Sequence, residues 1–331
     1  MGCTRAGNFA MQNSDFLLVL GCRLSPMTTG SDCSKFARSA KVVVVDIDPV
    51  EHSKNIIKID KLILADAKKF ITALAKSDIK EASLEWREKC LHWKNIFPRC
   101  EPEQRASEKV DLYYLAECLS DVMPADAVFL SDSGLIELIL PTNLSFSPKQ
   151  RCIHPVSQGA MGFALPAVVG AHYASGAAIV AVIGDGSIMM NIQELATIRY
   201  HNIPVKIFVI NNNAYAVIRK RQVDLFRSRT IGTDPDNGVS CPDFKKVAAG
   251  FDIPYVHIGN SFDLSLKLKS VLAMKGPVLC EIMGLENQDY IASSHARDAN
   301  GRTVHRPLED QAPYLKRDLF LSEMIIEPID Q

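Results

Sequence analysis

The chain has 331 residues, 47% of them apolar, enough to bury one large core or two smaller ones, and its length favours about two domains. With 37 basic and 38 acidic side chains the net charge is −1, which removes any electrostatic reason to expect nucleic acid or an anionic membrane as a partner. Nine cysteines, at 3, 22, 33, 90, 100, 118, 152, 241 and 280, are scattered and never closer than ten residues apart. That spacing fits neither a zinc knuckle nor a disulfide framework, so reduced, mostly buried thiols are expected. No apolar run resembles a secretory h-region or reaches the ~20 residues of a membrane span, and a cytoplasmic location is expected.

Short β-branched runs alternate with amphipathic stretches along the chain, as in parallel sheets covered by helices. The expected fold class is α/β: doubly wound parallel sheets with helices on both faces, in two Rossmann-like domains, the first incomplete. FLLVLG (16–21) and KVVVVDID (41–48) read as strands with a helix-compatible segment between them. Asp48 then suits an N-cap and Pro49 the first helical position. After ILADAKKFITALAKS comes the charged, tryptophan-bearing IKEASLEWREKCLHWKNIFPRCEPEQRASEK, read as a helix and a connector with a boundary near residue 105. From Val110 the alternation restarts, with a helix near 111–121 and strands at 127–131, 177–184, 205–211, 255–259 and 277–282. These are near-continuous apolar runs, as expected of strands buried on both faces. The segments expected are 1–78, 79–107, 108–300 and a tail, 301–331, that docks on the body.

The stretch VIGDGSIMMNIQELATIRYHNIPVKIFVINNNAYAV carries the most information. In a β-α-β crossover both strands end on the same sheet edge, where ligands of open α/β sheets bind. Asp185 ends one strand and Asn212 the next. Between them Ile188, Ile192, Leu195 and Ala196 fall on one helical face, and a helix of about twelve residues, ~18 Å, matches a six-residue strand of ~20 Å. An Asp carboxylate and an Asn carbonyl are two hard oxygens, too few to cage Ca²⁺ but suited to Mg²⁺ completed by water and substrate phosphates. Gly184 and Gly186 permit close approach of backbone, Ser187 offers a hydroxyl, and the following helix start favours anions. A third strand, AVFLSDSG, ends in Ser133 and Gly134. Either DG or NNN alone marks an ordinary turn; both at strand ends flanking one helix point to a diphosphate–metal site.

GDG, then 24 residues, then NN resembles the thiamine diphosphate motif of the acetolactate synthase and pyruvate oxidase superfamily. NSDFLLVLGCRL and KVVVVDIDP are similar to that family's central domain, and 108–300 to its diphosphate-binding domain. The resemblance implies that Asp185, the Asn212 side chain and the Ala214 carbonyl hold Mg²⁺, while Gly186 and Ser187 contact the diphosphate; Gly184 and Gly134 are expected there from the strand ends alone. SQGAMGFALPA resembles the segment whose methionine, here Met161, wedges under the cofactor, with Gly159 beside the aminopyrimidine. NNNAYAVIRKRQ and RPLEDQAPYL are most similar to acetolactate-synthase-like enzymes of surface-sugar pathways. Two departures bear on the acceptor: Ala214 where Gly is common, and Leu135, Ile136 and Glu137 in place of a glutamine-rich stretch.

The implied function is decarboxylation of a 2-oxo acid such as pyruvate and transfer of the acyl unit to a second carbonyl. The family also carries a pyrimidine-binding domain whose glutamate contacts the cofactor, and no residue here matches it. The chain is therefore expected to be the C-terminal portion of such an enzyme, inactive without that domain, in a homo-oligomer or with a partner pyrimidine-domain polypeptide, and no catalytic residue is assigned. The alternatives are a non-catalytic cofactor-binding subunit or truncated remnant, and a generic phosphate-binding α/β protein. FAD is an open expectation for the central domain: LGCRL lacks G-x-G-x-x-G, and Asp46 and Asp48 also occur in members of the resembled family without flavin. IRKRQVDLFRSR reads as a solvated helix face, with Arg219 or Arg221 gripping an acidic substrate as the alternative.

Overall fold

A computed structural model describes residues 4–54, 56–155, 158–291, 295–297 and 303–329. The chain folds as two units, Met1–Pro98 with Asp289–Gln331, and Arg99–Gln288. The expected segment limit at 300 lies outside the described residues.

In the first unit β1 (Phe16–Leu20), β2 (Lys41–Asp46) and β3 (Lys61–Leu64) form a parallel sheet in that order. Strand β3 was unexpected, because its KLIL shares apolar residues with the helical pattern that follows. That helix runs Ala67–Leu74, and its N-cap Asp66 accepts from Lys69 N–H at 2.9 Å. No helix starts at Pro49. Asp48 instead accepts from the N–H groups of Val50 (2.7 Å) and Glu51 (3.3 Å), closing a turn before the 3₁₀ helix Glu51–Lys54. Side chains of this kind compete with the helix for backbone donors.

The C-terminal segment packs on this unit. Leu308 joins Val19, Phe36, Val42 and Val44, and Phe320 joins Phe9, Trp93 and Phe97 in an aromatic cluster. Gln12 donates to Glu309 at 2.7 Å, Asn8 to Gln311 at 3.0 Å, and Arg38 pairs with Glu309 at 2.7 Å. Asn8, Gln12, Glu309 and Gln311 are buried and each finds a partner, as burial requires.

The second unit holds a six-stranded parallel sheet: β4 (Val128–Ser131), β5 (Arg151–Ile153), β6 (Ile179–Gly184), β7 (Val205–Asn211), β8 (Tyr255–Ile258) and β9 (Val278–Met283), in the order β5-β4-β6-β7-β9-β8. Helices flank it, and β4, β6, β7 and β9 are buried almost throughout. From β4 the chain runs out to edge strand β5, then returns to β6 on the other side of β4. That reversal puts a topological switch point between β4 and β6, where such sheets bind ligands. The β5 strand was missed because three residues show no periodicity.

The single helix expected between Asp185 and Asn212 is broken. One turn, Asp185–Ile188, is followed by a separate helix, Glu194–Tyr200. The break resets the helical phase: Ile188, Leu195 and Ile198 are fully buried, Ile192 packs against the same core, and Ala196 faces out. The cysteines among the described residues are all free, with Cys100, Cys118 and Cys280 buried and the others half-buried. Burial pushes the Cys100 and Cys280 thiols up to about 12, which keeps them unreactive.

Candidate active-site cleft

The carboxyl ends of β4, β6 and β7 border a cleft of about 270 Å³. Its lining includes Ser133 and Gly134 after β4, Gly159 and Met161 from the loop ahead of the helix Ala164–Ser175, Gly184, Asp185, Gly186 and Ser187 at the end of β6, and Asn212 and Ala214 after β7. Every site residue expected from the sequence therefore lies on one cavity.

Asp185 is 3% exposed. Its Oδ1 accepts from Gly186 N–H at 2.7 Å, and its Oδ2 from Asn212 N–H at 3.1 Å and Asn213 N–H at 2.6 Å. Those bonds tie the end of β6 to the end of β7. Burial pushes the carboxyl up, and the surrounding N–H groups and the Cys241 thiol hold it down by less. Among the described residues no cationic side chain offsets it. A carboxylate has about four acceptor positions, so three hydrogen bonds leave room for a cation, and a buried charge without a counter-ion calls for one. The Asn212 side-chain oxygen, which accepts from Ala214 N–H at 3.3 Å, is a hard ligand on the same cleft, just after β7. Among the described residues no three His, Cys, Asp or Glu side chains form a metal cage. The donor set thus fits a hard ion that takes its other ligands from phosphate and water.

Asp132, fully buried at the end of β4, was not singled out from the sequence. It accepts from the N–H groups of Ser133 (2.8 Å), Gly162 (3.1 Å) and Ala164 (2.7 Å), and from the Ser187 hydroxyl. One carboxylate thereby joins β4, the loop that carries Met161, and the turn after β6. The Ser187 O–H is directed at Asp132, and its oxygen accepts from Gly162 N–H at 3.1 Å, so this hydroxyl is not free to donate to a phosphate. The usable signal was a strand-terminal acid, shared with Asp185.

The two glycines around Asp185 differ. A Cβ on Gly186 would lie 2.3 Å from the Tyr215 ring, whereas one on Gly184 would meet only Ser187 Cβ at 3.9 Å. Tyr215, also unassigned from the sequence, lies across Gly186 and lines the cleft. Gly159 takes φ +58°, a conformation that favours glycine. Met161 is 37% exposed, so it is a cleft residue and not part of the core. Arg219 is engaged elsewhere, by Asp234 at 3.5 Å, Asn287 at 3.0 Å and the Glu286 carbonyl.

Residues 132–282, which contain every one of these cleft groups from Asp132 to Tyr215, match the family model of the thiamine pyrophosphate enzyme C-terminal TPP binding domain. Residues 1–74 match the thiamine pyrophosphate enzyme central domain. The chain belongs to the thiamine pyrophosphate enzyme family. It is similar to acetolactate synthase 1, chloroplastic, of Zea mays, with 30% identity over 90% of this chain and 49% of the relative. It is also similar to the acetolactate synthase large subunit of Porphyra purpurea (31%, 86% and 48%) and to the acetolactate synthase isozyme 2 large subunit of Escherichia coli strain K12 (31%, 84% and 49%). The chain spans about half the length of these relatives. Within the family, the parallel sheets flanked by helices are the expected scaffold, and no helix among the described residues is long and apolar enough to cross a membrane.

Proposed function

We propose that the cleft binds thiamine diphosphate with Mg²⁺ and serves an acetolactate-synthase-like enzyme, which decarboxylates a 2-oxo acid such as pyruvate and transfers the acyl unit to a second carbonyl compound. The observation that carries this reading is the junction of Asp185 and Asn212, tied by a 3.1 Å hydrogen bond at one sheet edge inside the cleft. The Asp185 carboxylate, the Asn212 side chain and the Ala214 carbonyl hold the cation. Gly134, Gly184, and the main chain of Gly186 and Ser187 border the diphosphate. Gly159 and Met161 border the organic rings, and Leu135, Ile136 and Ile218 supply apolar wall that excludes water. The bound cofactor supplies the electron sink that decarboxylation needs; these residues orient it and balance its charge.

The acceptor carbonyl, a cytoplasmic location, and assembly as a homo-oligomer or with a pyrimidine-domain polypeptide belong to the same proposal. So does FAD, for which the first unit offers a hollow of about 230 Å³ beside Arg23, Ser25, Glu51 and His52. The test is calorimetric titration of thiamine diphosphate with and without Mg²⁺, followed by CO₂ and acetolactate formation from pyruvate. Turnover should require a pyrimidine-domain polypeptide in the mixture. Tight cofactor binding with no turnover in any mixture favours the non-catalytic subunit instead, and no binding at all refutes the proposal.

A further inference from the structure

Two polar groups beside the cleft, behind its Gly159 wall, have no hydrogen-bond partner among the described residues. Glu137, in the first turn of the helix Leu135–Asn143, has its side chain 9% exposed. His154 follows β5, and its buried Nδ1 is unpartnered. The two face each other, with Nδ1 and Glu137 Oε1 3.8 Å apart, beyond hydrogen-bond reach. Glu137 Oε2 lies 3.4 Å from where a Cβ on Gly159 would stand, and Gly159 lines the cleft, as do Leu135 and Ile136.

A buried carboxyl without a donor is costly, and the nearest other acid worsens its position. Asp132 already takes four donors. Burial first, and Asp132 second, push the Glu137 carboxyl up, while burial pushes His154 down; no Lys or Arg acts on either. Burial thus penalises the charged form of each group, and the site favours a ligand that brings a donor.

We propose that Glu137 and His154 form a donor-recognising pair beside the cleft at Gly159: the Glu137 carboxyl accepts a hydrogen bond from an amino or hydroxyl group of the bound molecule, and His154 orients that carboxyl. Glu137 is then a specificity-determining residue and His154 a positioning residue. This rests on reading the cleft as the ligand site. The donor has two sources, the amino group of thiamine diphosphate or a hydroxyl of the carbonyl acceptor.

The pair is tested first without ligand. Histidine-ring NMR, with His154 assigned by its loss in His154→Asn, should show the His154 midpoint falling in Glu137→Gln, because a nearby carboxylate favours the imidazolium form. An unchanged midpoint overturns the pair. Calorimetry then separates the sources. In Glu137→Leu the affinity for thiamine diphosphate with Mg²⁺ should weaken about three- to tenfold if the cofactor supplies the donor. If the acceptor supplies it, the same weakening should appear for dihydroxyacetone titrated into the cofactor-loaded protein. Equal affinities of wild type and variant for both probes overturn the proposal. No thiamine diphosphate binding by the wild type would refute the cofactor reading alone, since the histidine titration judges the pair without it.

Discussion

Replacing Asp132 by Asn tests whether one carboxylate organises the cleft. Oδ1 takes the Ser133 and Gly162 N–H groups and the Ser187 hydroxyl, and Oδ2 takes Ala164 N–H at 2.7 Å. An Asn can keep its oxygen on the three-donor side only by placing its NH₂ against Ala164 N–H, two donors facing each other in a fully buried site. Flipping the amide instead sets the NH₂ against the Ser133 and Gly162 N–H groups, since of the three only the Ser187 hydroxyl can turn and accept. The cost is the lost charge-assisted bond plus an unsatisfied buried group, about 2–4 kcal/mol. For a unit of this size that lowers the melting temperature by roughly 5–15 °C. Asp132→Ala, which strands all four donors, should cost more. Calorimetric melting gives the magnitude, and hydrogen exchange at the Gly162 and Ala164 amides gives the location. A loss below about 0.5 kcal/mol, with both amides still protected, would refute the idea that Asp132 holds the Met161 loop to the sheet.

Gly186→Ala should displace the Tyr215 ring, since the new methyl would stand 2.3 Å from Cε1; we expect about 1–3 kcal/mol of destabilisation and at least tenfold weaker thiamine diphosphate binding by calorimetry. Gly184→Ala, with only a 3.9 Å contact to meet, should cost under about 1 kcal/mol, and equal effects of the two substitutions would contradict the assigned packing. In the first unit burial raises the Glu323 carboxyl, but hydrogen bonds from Lys89 (2.7 Å) and His92 (2.9 Å) outweigh it and leave it below its ordinary value of 4.5. A depressed carboxyl stabilises above its unfolded pKa and loses that contribution as pH falls through the folded one. Glu323→Gln should therefore cost about 1–2 kcal/mol in urea unfolding at pH 7, with the difference from wild type shrinking below pH 4.5; a pH-independent difference would contradict the pairing.

The Asp185–Asn212 site was legible in the sequence because strand ends are marked twice, by apolar runs and by the small or polar residues that close them. Sheet topology then brings those ends together with no further information. Met161 was legible only through resemblance, since a methionine in an apolar stretch reads as core. Asp132 and Tyr215 escaped for different reasons. SDSG has the composition of a turn, and the contact between Tyr215 and Gly186 depends on a loop path that no periodicity records. The broken helix after Asp185 was hidden by apolar spacing compatible with one continuous helix. Strand β3 was hidden by an apolar tetrapeptide next to a stronger helical signal. Docking of Glu309, Gln311 and Phe320 onto Asn8, Gln12 and Phe9 joins positions about 300 apart, and local patterns carry nothing about such pairings.

The central claim is that Asp185 holds a cation that bridges this chain to a diphosphate. Calorimetric titration of thiamine diphosphate into the wild type, Asp185→Ala and Asn212→Ala, each with Mg²⁺ and with excess chelator, tests it most directly. Saturable binding by the wild type only with Mg²⁺, at least about 100-fold weaker binding by Asp185→Ala, and a smaller loss in Asn212→Ala are predicted. Full affinity in Asp185→Ala, or in the wild type under chelator, would contradict it.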